Sequence, residues 1–410
     1  MKLKRLIRSA PPAVAGLCGA ILALGTISTA SADDVTANLN QSEAGRLSIF
    51  HDFGISSIGS TSDDIPDTTD GGLLTSYLGR WTTDTPTPSG RSWSVSATPV
   101  IGYDSAPEGL KTSHGSLFGG AELAANYALN YTAANGDPTV FDLGYDATGA
   151  VYKGTVKQAD NLQQTVSAGA QHKMFDDAFI LSGGFRDQFT IDHGTAFLNA
   201  IDLATGGEVF WFSQLSTELS YRYSHLDFYF PDVVKQQDPD ANRYVLTLAT
   251  HLFPLPQTRD ATVGESPDLL TDFLRSSLRS FTAGYAYVWN TSNGSDYKYQ
   301  ANRVFFGLDD LRPFHTKNLS FDTNYAHEWQ QYFNTNNTEL GPVLHGKSKL
   351  RRNDHLDVFT MRANVRLADL ARERGTIGGF LQWDYIRDES NIPNRDFNEF
   401  IVSTGIEYRY

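Results

Sequence analysis

Between Leu356 and Ala368 the odd positions read Phe359, Met361, Ala363, Val365 and Leu367, and the even ones Thr360, Arg362, Asn364 and Arg366. A strand sends successive side chains to opposite faces, so this stretch predicts a strand with one apolar and one charged face. The pattern recurs. In Leu278–Asn290, Phe281, Tyr285, Tyr287 and Trp289 oppose Ser280, Thr282, Gly284 and Ala286. In Asn318–Trp329, Phe321, Tyr325 and Trp329 oppose Asp322, Asn324 and Glu328. In Val209–Phe230, Leu215, Leu219, Tyr221 and Tyr223 oppose Ser216, Glu218, Ser220 and Arg222.

From Arg46 onward the chain repeats this unit: a patterned run of roughly 9–12 residues, then a polar break. That length lets a tilted strand cross a bilayer. Strands are predicted to start near Arg46, Gly72, Ser92, Gly115, Pro138, Leu162, Ala178, Thr195, Val209, Asn242, Leu278, Lys298, Asn318, Leu356, Thr376 and Phe397. The expectation is an all-β chain forming a single antiparallel transmembrane β-barrel of about 16 strands. Dropping the runs at Pro138 and Thr195 gives the alternative of 14. Both counts are even, as single-chain bacterial barrels require.

Alternation alone does not separate a membrane barrel from a soluble sandwich, which turns its apolar face inward. The two ends of the chain supply the distinction. Lys2, Lys4, Arg5 and Arg8 precede an apolar run from Ala13 to Ile27, followed by Ala30-Ser31-Ala32. This is the pattern of a secretory signal peptide over residues 1–32, and the run is short for a spanning anchor. Cys18, the chain's only cysteine, falls inside it, so no disulfide is expected afterwards. Residues 33–45 read as a periplasmic tail and 46–410 as the barrel. At the other end, Phe400, Val402, Thr404, Ile406, Tyr408 and Tyr410 alternate with Ser403, Gly405, Glu407 and Arg409. The positions of Ser403, Gly405, Tyr408 and Tyr410 resemble the C-terminal assembly signal of bacterial outer-membrane β-barrels. That resemblance implies an outer-membrane location and, as partners, outer-membrane lipid, lipopolysaccharide and the barrel-assembly machinery. The hairpins Tyr287–Tyr297 and Tyr385–Phe397 resemble in style the barrel domains of surface-lipoprotein assembly and polysaccharide-export proteins.

Without the leader's four basic residues, 29 basic face 47 acidic residues, a net charge of −18. This argues against nucleic acid as a partner, since phosphate binding needs a basic surface. With Tyr410 placed at the periplasm, the breaks near 56–71, 104–114, 230–242, 290–298, 332–355 and 387–397 face outward. Those at Ala133–Asp137 and Met174–Asp177 are inner turns. One inner connection, 254–277, is long; Ser266-Pro267 within it suits a short helix start.

An Arg on the lipid face near the bilayer midplane costs about 2–4 kcal/mol, so the charged faces must line the lumen. The pore-lining candidates are Glu218, Arg222, Asp322, Glu328, Arg362, Arg366, Asp384, Glu407 and Arg409. Their two readings are a conducting pore that selects by charge and a lumen packed with paired charges. Two His-Leu-Asp triplets, His225–Asp227 and His355–Asp357, put a histidine and an acid on one face, where they could pair. No nucleophile accompanies them and no Walker, G-x-S-x-G or H-E-x-x-H motif occurs, so no catalytic residue and no cofactor is assigned. Acids cluster at Asp63, Asp64, Asp67 and Asp70, at Asp232, Asp238 and Asp240, and at Asp388, Glu389 and Asp396. None has calcium-loop spacing, so they read as solvated loop acids and no metal site is assigned. The functional expectation is a porin-like passage for a hydrophilic solute or polymer. A closed barrel acting as a surface binding or assembly partner, and a lipid hydrolase, are the alternatives.

Overall fold

The computed structural model describes residues 91–106, 115–132, 137–153, 160–175, 178–192, 195–212, 214–229, 240–253, 280–294, 297–312, 316, 318–333, 351–369, 376–391 and 396–409. The strands are β1 (Arg91–Asp104), β2 (Ser116–Thr132), β3 (Pro138–Tyr152), β4 (Asn161–Met174), β5 (Phe179–Asp192), β6 (Thr195–Phe212), β7 (Leu215–Phe228), β8 (Ala241–Leu252), β9 (Ser280–Ser292), β10 (Tyr299–Leu311), β11 (Leu319–Tyr332), β12 (Asn353–Asp369), β13 (Thr376–Ser390) and β14 (Phe397–Arg409). Each is antiparallel to its chain neighbours, and β14 pairs with β1 from Ser96↔Arg409 to Asp104↔Ile401. The ladder therefore closes on itself and leaves no free edge.

Closure fixes the count at fourteen and corrects the expected sixteen. The predicted strands at Arg46 and Gly72 lie outside the described residues, and the closed ladder holds no position between β14 and β1. The runs at Pro138 and Thr195 are both strands, β3 and β6, so fourteen is not reached by omitting them. The expected start at Val209 is also corrected: β6 continues to Phe212 and β7 begins at Leu215. Val209 pairs with Thr217, so what looked like one long run is the descending and ascending arm of a hairpin. The leader, the tail and the 254–277 connection lie outside the described residues.

The strands run to between 12 and 18 residues, longer than a bilayer crossing needs. Their surplus carries polar outward residues at the end opposite the C terminus, among them Gln300, Gln331 and Asn353. Between the rims the outer face is apolar. Ile101, Leu117, Leu143, Leu203, Leu219, Leu246, Leu381 and Ile406 are all exposed there, with Trp289, Trp383 and Phe400 beside them. A soluble monomer rarely exposes more than a few hundred Å² of continuous apolar surface. This belt circles the whole ladder and identifies the lipid-facing surface.

The loop ends share one device. Asp160, Asp240 and Asp396 stand just before β4, β8 and β14. Each accepts the backbone N–H of the preceding strand's last residue: Tyr152 at 2.7 Å, Phe228 at 2.7 Å and Ser390 at 2.8 Å. Asp240 and Asp396, two of the clustered loop acids, thus close hairpins. The acids at Asp63, Asp64, Asp67, Asp70, Asp232 and Asp238 lie outside the described residues.

Candidate functional site, the lumen wall

Parity decides which side chains meet in the lumen. All nine predicted pore-lining residues fall on the inward side: Glu218 and Arg222 on β7, Asp322 and Glu328 on β11, Arg362 and Arg366 on β12, Asp384 on β13, Glu407 and Arg409 on β14. The wall gathers them into separate groups rather than one ring.

The first group sits on β11–β14 at the rim that holds the end of β14. Arg409 donates to Glu407 at 2.6 Å, and Arg362 lies 4.0 Å from the same carboxylate. Arg362 also donates to Asn364 at 2.8 Å, and Asn364 to Asp322 at 2.6 Å. The other Asp322 oxygen accepts the Asp310 backbone N–H at 2.8 Å. The Asp310 carboxylate, hydrogen-bonded to Arg312 just past β10, raises the pKa of that guanidinium above its ordinary value. Arg366 and Arg409 are exposed, so water reaches this mouth. Deeper in, Asp384 is fully buried and accepts from Thr360 at 2.8 Å and from Gln382 at 3.0 Å.

The second group lies on β5–β9. Glu218 is 3.5 Å from His251, which also meets Thr282 at 2.9 Å. Ser216 donates to Glu208. Arg222 is buried above them, and Arg186 lies 3.9 Å from Asp202. The third group is on β10–β12. Arg303 Nε donates to Glu328 at 2.7 Å, and Gln330 donates to the other Glu328 oxygen at 2.8 Å. Arg352 pairs with Asp354 at 2.5 Å and lies 4.3 Å over the Tyr332 ring.

Arg186, Asp202, Glu208, His251 and Arg303 belong to this wall and were not singled out from the sequence. The signal was present but blurred. On β10 the inward Phe305 stands beside the outward Phe306, so apolar residues occupy both faces. Phe305 takes the inward parity of β10 and fills the space over Gly284, where an added Cβ would collide with its ring.

The assembly-signal residues divide between faces. Ser403 and Gly405 point inward, Tyr408 lies on the outer face opposite Ile377, and Tyr410 is outside the described residues. Gly405 has a steric reason: a Cβ there would meet the Pro99 carbonyl at 2.5 Å and the Phe380 ring at 2.6 Å.

The His-Leu-Asp triplets do not pair internally. His225 meets Asn242 across the strands at 3.0 Å, and Asp357 is held by His327 at 2.7 Å and Tyr325 at 2.6 Å. These partners lie on the outer face near the rim. Among the described residues, no group of three or more His, Cys, Asp or Glu could hold a metal ion.

A closed antiparallel ladder with an apolar outside and a charged inside is the build of a bacterial outer-membrane β-barrel. No family model matches the chain, and no curated protein matches it. The solved structures similar to it include OprD from Pseudomonas aeruginosa, with TM-score 0.34 and 9% identity over 78% of this chain and 94% of that one. A bacterial polysaccharide outer membrane secretin gives 0.37 and 9% over 78% and 98%. An outer membrane channel from Pseudomonas putida F1 gives 0.34 and 10% over 81% and 100%. At these scores the likenesses carry no argument about function.

Proposed function

We propose that the chain is a porin-like outer-membrane protein that passes a small hydrophilic solute. The observation that carries this reading is the charged inward wall of β11–β14, open to water at Arg366 and Arg409 and continuing inward through Glu407, Arg362 and Asp384. Charges of both signs facing one water-filled space select solutes by size and charge. Barrel diameter grows with strand number, and fourteen strands lie between the eight that side chains fill and the sixteen that leave an aqueous channel. Tyr408 and Tyr410 are assigned to recognition by the barrel-assembly machinery, and the outer belt to lipid and lipopolysaccharide. The test is the purified chain in planar bilayers and in vesicles loaded with sucrose. Discrete current steps or sucrose release are expected; absence of both overturns the reading.

A second reading has its own observation. Deeper inward residues such as Gln382, Asp384, Glu328 and His251 are all fully buried. A filled lumen would make the barrel a support for its surface loops, serving as a binding or assembly partner. It predicts that neither current nor sucrose release occurs.

A further inference from the structure

Toward the end opposite the C terminus, the inward side of β12, β13, β14 and β1 is crowded with acids. Asp354, Asp384, Asp388, Glu399 and Asp104 alternate there with aliphatic residues. The register sets Leu356 opposite Asp388, Ile386 opposite Glu399, and Ile401 opposite both Asp384 and Asp104. Among the described residues, Arg352 is the one cation on the inward side of this stretch. Three of the acids are visibly held. Asp104 accepts from the Tyr152 hydroxyl at 3.0 Å and the Ala106 N–H at 2.9 Å. Asp384 accepts from Thr360 and Gln382, and one Asp354 oxygen accepts from Arg352 Nε at 2.6 Å.

Asp388 stands apart. Among the described residues no hydrogen bond or ion pair holds it, although it lies in the field of Asp354, Glu328 and Asp396 and of Arg352. Its Oδ1 is buried without a hydrogen-bond partner. So is Oδ1 of Asp354, its diagonal neighbour across the β12–β13 ladder. It is also the acid of the five that the lumen reaches best, with 9% of its surface accessible against 1% or less for the others. A buried carboxylate without a partner is costly, and a proton or a cation satisfies it. Diagonal neighbours on a sheet stand about 7–8 Å apart, so one small cation between them can meet both unpaired oxygens. A calcium ion asks for about six oxygens or more. An ammonium group, with three N–H donors, can use two carboxylate oxygens and a water.

We infer that Asp388 and Asp354 form a binding site for the ammonium group of a passing solute, and that the passage prefers cations. The inference deepens the passage reading above and rests on it. The wall's arginines do not reverse the sign, because they come with acids: Arg352 with Asp354, Arg303 with Glu328 and Arg409 with Glu407. The acids of β13 and β1 have no inward cation on their own strands among the described residues. A cation is drawn into this field and an anion is turned back.

The test uses the purified chain in planar bilayers. Across a potassium chloride gradient, wild type should give a reversal potential of the sign set by potassium. Putrescine, supplied from the side opposite the C terminus, should reduce the potassium current. Asp388→Asn should raise the concentration of putrescine required by about tenfold, a ratio corresponding to about 1.4 kcal/mol. Glu389→Gln, which alters an outward acid one residue along β13, should leave both readings unchanged. Asp388→Asn removes a carboxylate that no described hydrogen bond holds, so its urea midpoint in lipid vesicles should equal or exceed that of wild type. A lower midpoint would mean that the carboxylate serves the fold, and overturns the site. A chloride-preferring or unselective wild-type current, or equal putrescine sensitivity in wild type and Asp388→Asn, overturns the site and spares the passage. Absence of current and of sucrose release in every variant overturns the passage, and the cation preference with it.

Discussion

Arg303 and Glu328 provide the sharpest measure of how dry the lumen wall is. Glu328 has 0% of its surface accessible, and the Arg303 side chain sits against it at 2.6–2.7 Å. Arg303→Met keeps the length of the side chain and removes the cation. Glu328 would then keep the Gln330 amide, at 2.8 Å, among its described contacts. Breaking one partner out of a buried pair costs about 3–5 kcal/mol, because the remaining charge is left uncompensated. The retained amide bond, at about 1 kcal/mol, places the expectation at the lower end, near 3 kcal/mol. Replacing both, as Arg303→Met/Glu328→Leu, removes the stranded charge and should return stability to within about 1 kcal/mol of wild type. The assay is reversible folding into lipid vesicles against urea, read by tryptophan fluorescence. A loss below about 1 kcal/mol for the single variant would mean that water reaches Glu328 and that the wall is wet at this level. A double variant as unstable as the single one would also refute the argument, since the penalty would then lie in packing and not in charge.

Other expectations follow from the same geometry. Leu246→Arg puts a cation on the lipid face between Tyr221 and Tyr287 and should cost about 2–4 kcal/mol in the same assay, with Leu246→Phe nearly neutral. Gly405→Ala must displace Phe380 or the Pro99 carbonyl and should destabilise by about 1–3 kcal/mol, while Gly119→Ala, with open space around it, should change little. Asp240→Ala leaves the Phe228 N–H without its carboxylate and should cost about 1.5–3 kcal/mol, seen as faster proteolysis of the β7–β8 connection.

Much of the barrel was legible because lipid enforces a strict rule. Phe281, Tyr285, Tyr287 and Trp289 could share a face only on a strand, and Arg362 and Arg366 could not face acyl chains. Strand number was less legible. Alternation marks a strand but says nothing of its neighbours, and only the β1–β14 register shows where the circle closes. The hairpin between β6 and β7 was hidden for a related reason. Val209 and Phe210 continue the apolar character of Leu215, and a tight turn interrupts the pattern for only two residues.

The lumen was legible as charge and not as shape. Charged residues announce their direction, since one direction is prohibitive; Leu226, Leu356 and Ile386 announce nothing, because either face accepts them. Their direction becomes readable only through their neighbours. In His355-Leu356-Asp357-Val358 the polar residues take the parity that Phe359, Met361 and Ala363 hold further along the same strand. Parity cannot slip within a continuous ladder, and β12 stays in register with β11 from Gln331↔Asn353 to Leu319↔Val365. The switch of character at constant parity is therefore a change of surroundings and not of fold. An outer-membrane strand whose alternation reverses phase reports the height at which lipid ends, and the side to which its leucines have turned.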